Sequence, residues 1–388
     1  MTEHSHQKVR RPFRSVVFTR LFAAPFAVLL AVWFFVRSAN PTIPGDLADR
    51  TTPKTFDGSS DQLRRTVIVP TLDTPVPEGK NAVWCSSFQL SWNKLKIKVA
   101  GGAIKVLGAE AISESLNTAL QSEADISPGD FYTAAGRNSD GILDTIRADM
   151  GRLFPGVPVS DLPEAPNGVT AYAYLQARVK FELPFFEEPN GFWFPRGTNA
   201  FSPGANVGGF GLIEEHTDKR LRAQVEVLYE SSTTEYALDL CRTSQPNQLI
   251  IARIKPGNTL GETLIAVETK IGQTPRWKQR GLDDDDTLRV TNMNWRIAHQ
   301  FRELEGPEKR VLDGPLRGLY ISSAFQVIEF KLDRGGALLA SRAGSEWADG
   351  HHEYHFDRPF LLYFKKRDAK HPFFVVWIEN DELLERLR

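Results

Sequence analysis

The chain has 388 residues, 41% of them hydrophobic and 24% charged, which excludes a disordered polymer and fits one large folded domain or two ordinary ones. A formal net charge of -1 gives no basis for a nucleic-acid partner. Cys85 and Cys241 are too few and too far apart for a disulfide scaffold, and no CxxC pair points to zinc; one bridge and two buried thiols both remain open.

At the N-terminus, Lys8, Arg10, Arg11 and Arg14 precede a stretch from Val16 to Val36 broken only by Arg20. A helix needs roughly 20 apolar residues to cross a bilayer. Arg20 can snorkel to the entry side, and Trp33 falls near the exit interface. Residues 16–36 therefore read as a transmembrane signal-anchor in contact with the lipid bilayer. The basic tail 1–15 is then cytoplasmic and the folded part extracytoplasmic, a single-pass topology. A cleaved signal peptide is the alternative, but Arg37 stands where a small residue should precede the cut.

Residues 37–80 are rich in Pro, Thr, Asp and Gly and read as a flexible linker, with the folded domain spanning 81–388. Within it, "SSFQLSWNKLKIKV", with Phe88, Leu90 and Leu95 on a stripe, and "AEAISESLNTAL" have helical patterns. In "DGILDTIRADMGRLF", Ile142, Ile146, Met150 and Phe154 recur at helical spacing. The period then changes to two: Ala171, Ala173, Leu175, Ala177, Val179, Phe181, Leu183 and Phe185 alternate, predicting one long strand.

Short strands are predicted at "AQVEVLYES", "EYALDLC" and "NQLIIARI", and a helix at "TLGETLIAVETKI". A strand "DTLRVTNMNW", a helix "RIAHQFRELE" and a strand "GLYISSAFQVIEFKLD" follow, and a hairpin over residues 355–380 closes the chain. Helices first and antiparallel strands later describe an α+β domain.

Chemistry is sparsely signalled. "HHEYH", residues 351–355, lacks the spacing of HExxH and runs into a strand, where His351 and Glu353 face one way and His352 the other. "DDDD", residues 283–286, lacks the alternating ligands and Gly of a calcium loop and reads as a solvated turn. "GANVGGFG", residues 204–211, matches neither GxGxxG nor a P-loop and reads as a flexible loop. Glu182, Glu187 and Glu188 fit a solvated strand face better than a catalytic carboxylate pair. No nucleophile comes with an identifiable base, so no catalytic residue, metal ligand or cofactor is assigned, and the chain is not read as an enzyme.

The terminal hairpin is the most specific feature. "YHFDRPFLLYF", residues 354–364, resembles the C-terminal signature of the serpin family, with Phe356, Asp357, Arg358, Pro359 and Phe360 at its defined positions. "HPFFVVWIEN" resembles that family's last buried strand. Upstream, "AYLQARVKFELPFF" is similar to the long central strand ending in Trp-x-x-Pro-Phe, with Phe181 in the place of tryptophan and Pro184 and Phe185 matching. "AVWCSSFQLSWNKL" is similar to an early helix, beginning at Asn81, and "QVEVLYESSTTEYALDL" to a hairpin of the second sheet.

The resemblance implies a serpin-like α+β fold with a large mixed main sheet and a second antiparallel sheet. It also implies a protease inhibitor of serine or cysteine proteases, whose strained loop is cut by the target and inserts into the main sheet. Carried over, that reactive loop is Arg334 to His355. Gly335, Gly336, Ala337, Ala340 and Ser341 supply its small-residue hinge, and the cleavage point falls near Asp349 and Gly350. Leu338, Leu339 and Arg342 depart from the small-residue pattern and favour the alternative, a non-inhibitory binding module on the same fold.

Overall fold

The computed structural model describes residues 54–159, 162–178, 180–196, 203–212, 219–243, 246–335 and 352–387. All fall in the second of the chain's two units, Leu47–Arg388. The expected span 16–36 lies outside them, and among the described residues no helix is long and apolar enough to cross a membrane.

In chain order the strands and helices begin with β1 (Phe56–Ser59), β2 (Thr66–Ile68), β3 (Asn81–Cys85), α1 (Ser86–Lys94), α2 (Glu110–Thr118), β4 (Phe131–Arg137) and α3 (Ile142–Leu153). Next come β5 (Gly168–Arg178), β6 (Phe186–Pro195), β7 (Gly204–Leu212), the short α4 (Lys219–Ala223), β8 (Glu226–Ser232), β9 (Glu235–Asp239), β10 (Asn247–Arg253) and α5 (Leu260–Gln273). The chain ends through β11 (Arg280–Gly281), β12 (Thr287–Thr291), β13 (Met293–Gln300), β14 (Tyr320–Leu332), β15 (Glu353–His355), β16 (Phe360–Lys366) and β17 (Phe374–Ile378).

Three sheets result. The main sheet has five strands in the order β1-β13-β14-β5-β4 and is mixed, because β1 runs parallel to β13 and β14 parallel to β5. An eight-stranded sheet, β11-β8-β9-β10-β16-β17-β3-β2, is antiparallel except for its last pair. A four-stranded sheet, β15-β12-β7-β6, completes the set. The expected α+β architecture is present, with a third sheet in addition to the two expected.

Packing explains the composition of the terminal hairpin. β16 and β17 lie in the middle of the eight-stranded sheet, and both faces are covered. Leu362, Phe364, Phe374 and Val376 face the main sheet, while Leu361, Tyr363, Val375 and Trp377 face α5. A strand buried on both sides needs apolar residues at every position, so the alternation fades into a continuous run. Pro359 stands just before β16, where its missing N–H costs no ladder bond. The main core fills the space between the two larger sheets, and α3 packs Leu143, Ile146 and Met150 onto the opposite face of the main sheet.

Several expectations are corrected. The linker expected over residues 37–80 is corrected from Lys54 onward, where the chain is folded: β1 pairs with β13, β2 pairs with β3, and Val69 is buried. Proline and threonine content there reflects edge strands and turns instead of a tether. The helix predicted to begin at Asn81 begins at Ser86, after β3, with Cys85 Sγ accepting the Ser87 N–H at its N-terminus. "RIAHQF" is strand β13, not helix, because Trp295 and Ile297 bury on one face with Arg296 between them on the other.

The long alternating strand stops at Arg178, where its partner β14 leaves the ladder. Phe181 and Phe185 still bury, packed edge to face at 4.7 Å. The glycine-rich segment is strand β7, and a Cβ at Gly211 would stand 1.7 Å from the Leu288 carbonyl oxygen of β12.

Candidate reactive-loop site

The expected loop connects two sheets. It leaves β14 in the main sheet after Leu332 and rejoins the fold at β15 in the four-stranded sheet. Arg334 and Gly335 at one root, and His352 to His355 at the other, are described. Gly336, Ala337, Leu338, Leu339, Ala340, Ser341, Arg342, Asp349 and Gly350 lie outside the described residues.

The first root is held by backbone and charge together. The Gly335 N–H donates to Asp333 Oδ1 at 3.0 Å, and the Phe185 N–H donates to the Arg334 carbonyl at 2.7 Å. Lys331 Nζ lies 3.1 Å from Asp333 Oδ2, and Arg334 Nη1 lies 3.6 Å from Glu187 Oε2. Gly335 has φ +124°, where side chains are rarely tolerated, and an added Cβ would meet Pro184 Cα at 3.0 Å. The backbone turns sharply here because only glycine fits.

The second root is a part-buried polar knot around Tyr354 and Asp286. Tyr354 is fully buried, and its hydroxyl donates to Glu230 Oε2 at 2.9 Å and accepts from Arg280 Nη2 at 3.1 Å. Burial pushes its phenol up, with the Arg280 charge opposing. Arg280 Nη1 also donates to Asp286 Oδ2 at 2.6 Å, and Asp286 accepts the backbone N–H of Asp283. His352 Nδ1 lies 2.7 Å from Glu230 Oε1, while His355 Nε2 lies 3.1 Å from Thr287 Oγ1.

The two histidines are thus engaged by different strands. Among the described residues no group of three or more His, Cys, Asp or Glu is arranged to hold a metal ion. Asp286 is 1% exposed, which corrects the reading of "DDDD" as a wholly solvated turn. Its neighbours in the run give no local sign of this, since burial follows from the packing of Arg280 and Arg222 against the turn.

The signature residues turn the chain from β15 into β16. Phe356 and Phe360 are fully buried with ring centroids 5.6 Å apart, and Phe356 meets Tyr236 edge to face at 5.5 Å. Asp357 lies 3.8 Å from Arg253, which also donates to the His355 carbonyl at 3.2 Å. These residues build the corner that fixes the loop's end.

The seam of the main sheet ends next to the first root. β14 and β5 pair in parallel from Tyr320 with Gly168 to Lys331 with Arg178, with a bulge between Ile321 and Ser323. On the core side Ala171, Ala173, Leu175 and Ala177 line it, and on the other side Tyr172, Tyr174, Phe325 and Val327 lie under α3. Cys85 and Cys241 are free and buried, and burial pushes the Cys85 thiol up to about 12, far from a nucleophile's range.

No family model matches the sequence, and no curated protein matches it. Among solved structures, the chain is similar to Serpin48, a highly specific serpin in the insect Tenebrio molitor, at 12% identity and TM-score 0.47, covering 77% of this chain and 92% of that one. It is similar to uncleaved ovalbumin at 12% identity and TM-score 0.49, covering 78% and 94%. A third is thyroxine-binding globulin in complex with thyroxine, at 12% identity and TM-score 0.47, covering 78% and 93%. All three are serpins, the family whose signature residues 354–364 resemble.

Proposed function

We propose that this chain is a serpin-type inhibitor of a serine or cysteine protease, held at the outer face of a membrane by residues 16–36 and presenting residues 334–355 as its bait. The observation that carries the reading is the seam. β14, the strand from which the loop departs, is hydrogen-bonded in parallel to β5, and the loop's far root sits in another sheet. A cut loop, free of β15, can turn back at Gly335 and lie antiparallel to both strands. One slanted parallel ladder is then replaced by two antiparallel ones, which are slightly more stable per residue. Each added backbone bond contributes about 1 kcal/mol net.

Length agrees with this. β5 has 11 residues, and the 16 residues of 336–351 supply enough chain to match it after the turn. Alternation puts Ala337, Leu339, Ser341 and Ala343 on one face and Leu338, Ala340 and Arg342 on the other. The first set suits the alanine-lined core side of the seam. Arg342 then falls on the α3 side, where Tyr172, Tyr174, Phe325 and Val327 are buried, so its charge is a cost that insertion has to meet.

A non-inhibitory binding module is the second reading, favoured by Leu338, Leu339 and Arg342, whose bulk slows entry into a packed sheet. The full chain in detergent micelles, mixed with a panel of serine and cysteine proteases, separates the two. The inhibitor reading predicts a denaturant-resistant covalent complex with at least one protease. Clean cleavage without any complex supports the binding module.

A further inference from the structure

On the face of the main sheet opposite the core, four residues stand in one register row across four strands. Asp57 of β1 is opposite Arg296 of β13, Arg296 opposite Glu329 of β14, and Glu329 opposite Gln176 of β5. Contacts run along the whole row. Arg296 Nη1 donates to Asp57 Oδ1 at 3.1 Å, Arg296 Nε lies 3.3 Å from Glu329 Oε1, and Gln176 Nε2 donates to Glu329 Oε2 at 3.4 Å.

Lys54 adds a second path, 3.6 Å from Asp57 Oδ2 and 3.7 Å from Glu329 Oε1. The last link of the row crosses the β14–β5 seam, two residues before the ladder ends and on the side where the loop departs. Arg296 also donates to the carbonyl of Pro158, in the segment that leaves α3.

We infer that β1 is a clasp on the main sheet: while seated it holds the loop end of the seam closed through Arg296 and Glu329, and peeling it away loosens that seam. The clasp is built to be released. β1 is four residues long, lies at the sheet edge, and binds through an Asp57 side chain that is 50% exposed. The charges it covers are less accessible, with Arg296 and Glu329 side chains 11% and 15% exposed.

Removing β1 strips Asp57 and Lys54 from this half-buried pair and admits water to it. Water then competes for the Arg296–Glu329 contact and for the Gln176 bond across the seam. β1 is the first described element and lies at the sheet edge, so a pull transmitted along the chain from its N-terminal side would act on this edge first. This coupling stands whether or not the loop inhibits a protease.

The test is hydrogen exchange of the full chain in detergent micelles. Lys54→Gln with Asp57→Asn releases the clasp, and Asp61→Asn serves as a control, because Asp61 pairs with Arg302 off the row at 2.6 Å. The clasp variant is expected to speed exchange of amides in 174–178 and 328–332 by about threefold to tenfold, with Asp61→Asn leaving them unchanged. Adding Glu329→Gln to the clasp variant is expected to bring less acceleration than Glu329→Gln brings to the wild type. Acceleration confined to β1 and β13, or fully additive effects, would overturn the inference.

Discussion

The backbone N–H of Phe185 donates to the carbonyl of Arg334 at 2.7 Å. The ladder between β5 and β14 has already ended at Arg178 and Lys331, so the loop's first residue remains tied to the chain that follows β5. One root of the loop therefore stands at the mouth of the seam into which insertion would proceed.

Gly335 makes that geometry possible. Replacing it with alanine forces a side chain into a φ of +124°, with its Cβ 3.0 Å from Pro184 Cα and 3.3 Å from the Phe181 ring. Urea unfolding is expected to show a loss of about 1–3 kcal/mol for Gly335→Ala. A loss below about 0.5 kcal/mol would mean that the root relaxes freely and is not held as described.

Asn81 ties the end of the eight-stranded sheet to the chain after β17. Its Oδ1 accepts the N–H groups of Glu379 and Asn380 at 2.7 and 2.9 Å, and its Nδ2 donates to Asn380 Oδ1 at 3.0 Å and Thr66 Oγ1 at 3.1 Å. All of this is buried, so Asn81→Ala leaves donors without partners. Stability is expected to fall by about 3 kcal/mol, seen as a lower denaturation midpoint at unchanged slope.

His299 gives the fold an acid-sensitive component. Burial lowers its pKa from 6.5 to about 4, with Asp61 and Arg302 acting in opposite directions, while Nδ1 lies 2.7 Å from Ser60 Oγ. As pH falls the unfolded chain takes up the proton first, so this contribution is full above about 6.5 and is lost on approaching 4. Between pH 7.5 and pH 4.5 the wild type is expected to lose up to about 3 kcal/mol more than His299→Gln. Parallel pH profiles for the two proteins would contradict this.

Local patterns in the sequence revealed much of this fold. The stripe in α3 and the alternation in β5 each depend on neighbours within one element and are readable, while the Phe356-to-Phe360 corner between β15 and β16 is legible through its resemblance to a family signature. What escaped depends on partners far along the chain. Asp286 is buried because Arg280 and Arg222 close over it, although its three preceding aspartates look identical in sequence. β1 is a strand because β13 offers an edge 239 positions later, and nothing in "TFDGSS" alone announces that pairing.

The same reason hid β13. Its Arg296 reads as a helix-friendly residue, yet it stands in a polar row with Asp57, Glu329 and Gln176 of three other strands. Glu230 and Arg280, which hold the second root, carry no motif of their own and are recognisable only once Tyr354 is packed between them.

The measurement that tests the central claim most directly is the melting temperature of the full chain before and after cutting near Asp349 with a protease that cleaves after acidic residues. Insertion beside β5 and β14 adds a sixth strand to a five-stranded sheet, and the account predicts a rise of about 10 °C or more. An unchanged or lower melting temperature after complete cleavage would contradict it, leaving the seam closed and the loop a surface for binding.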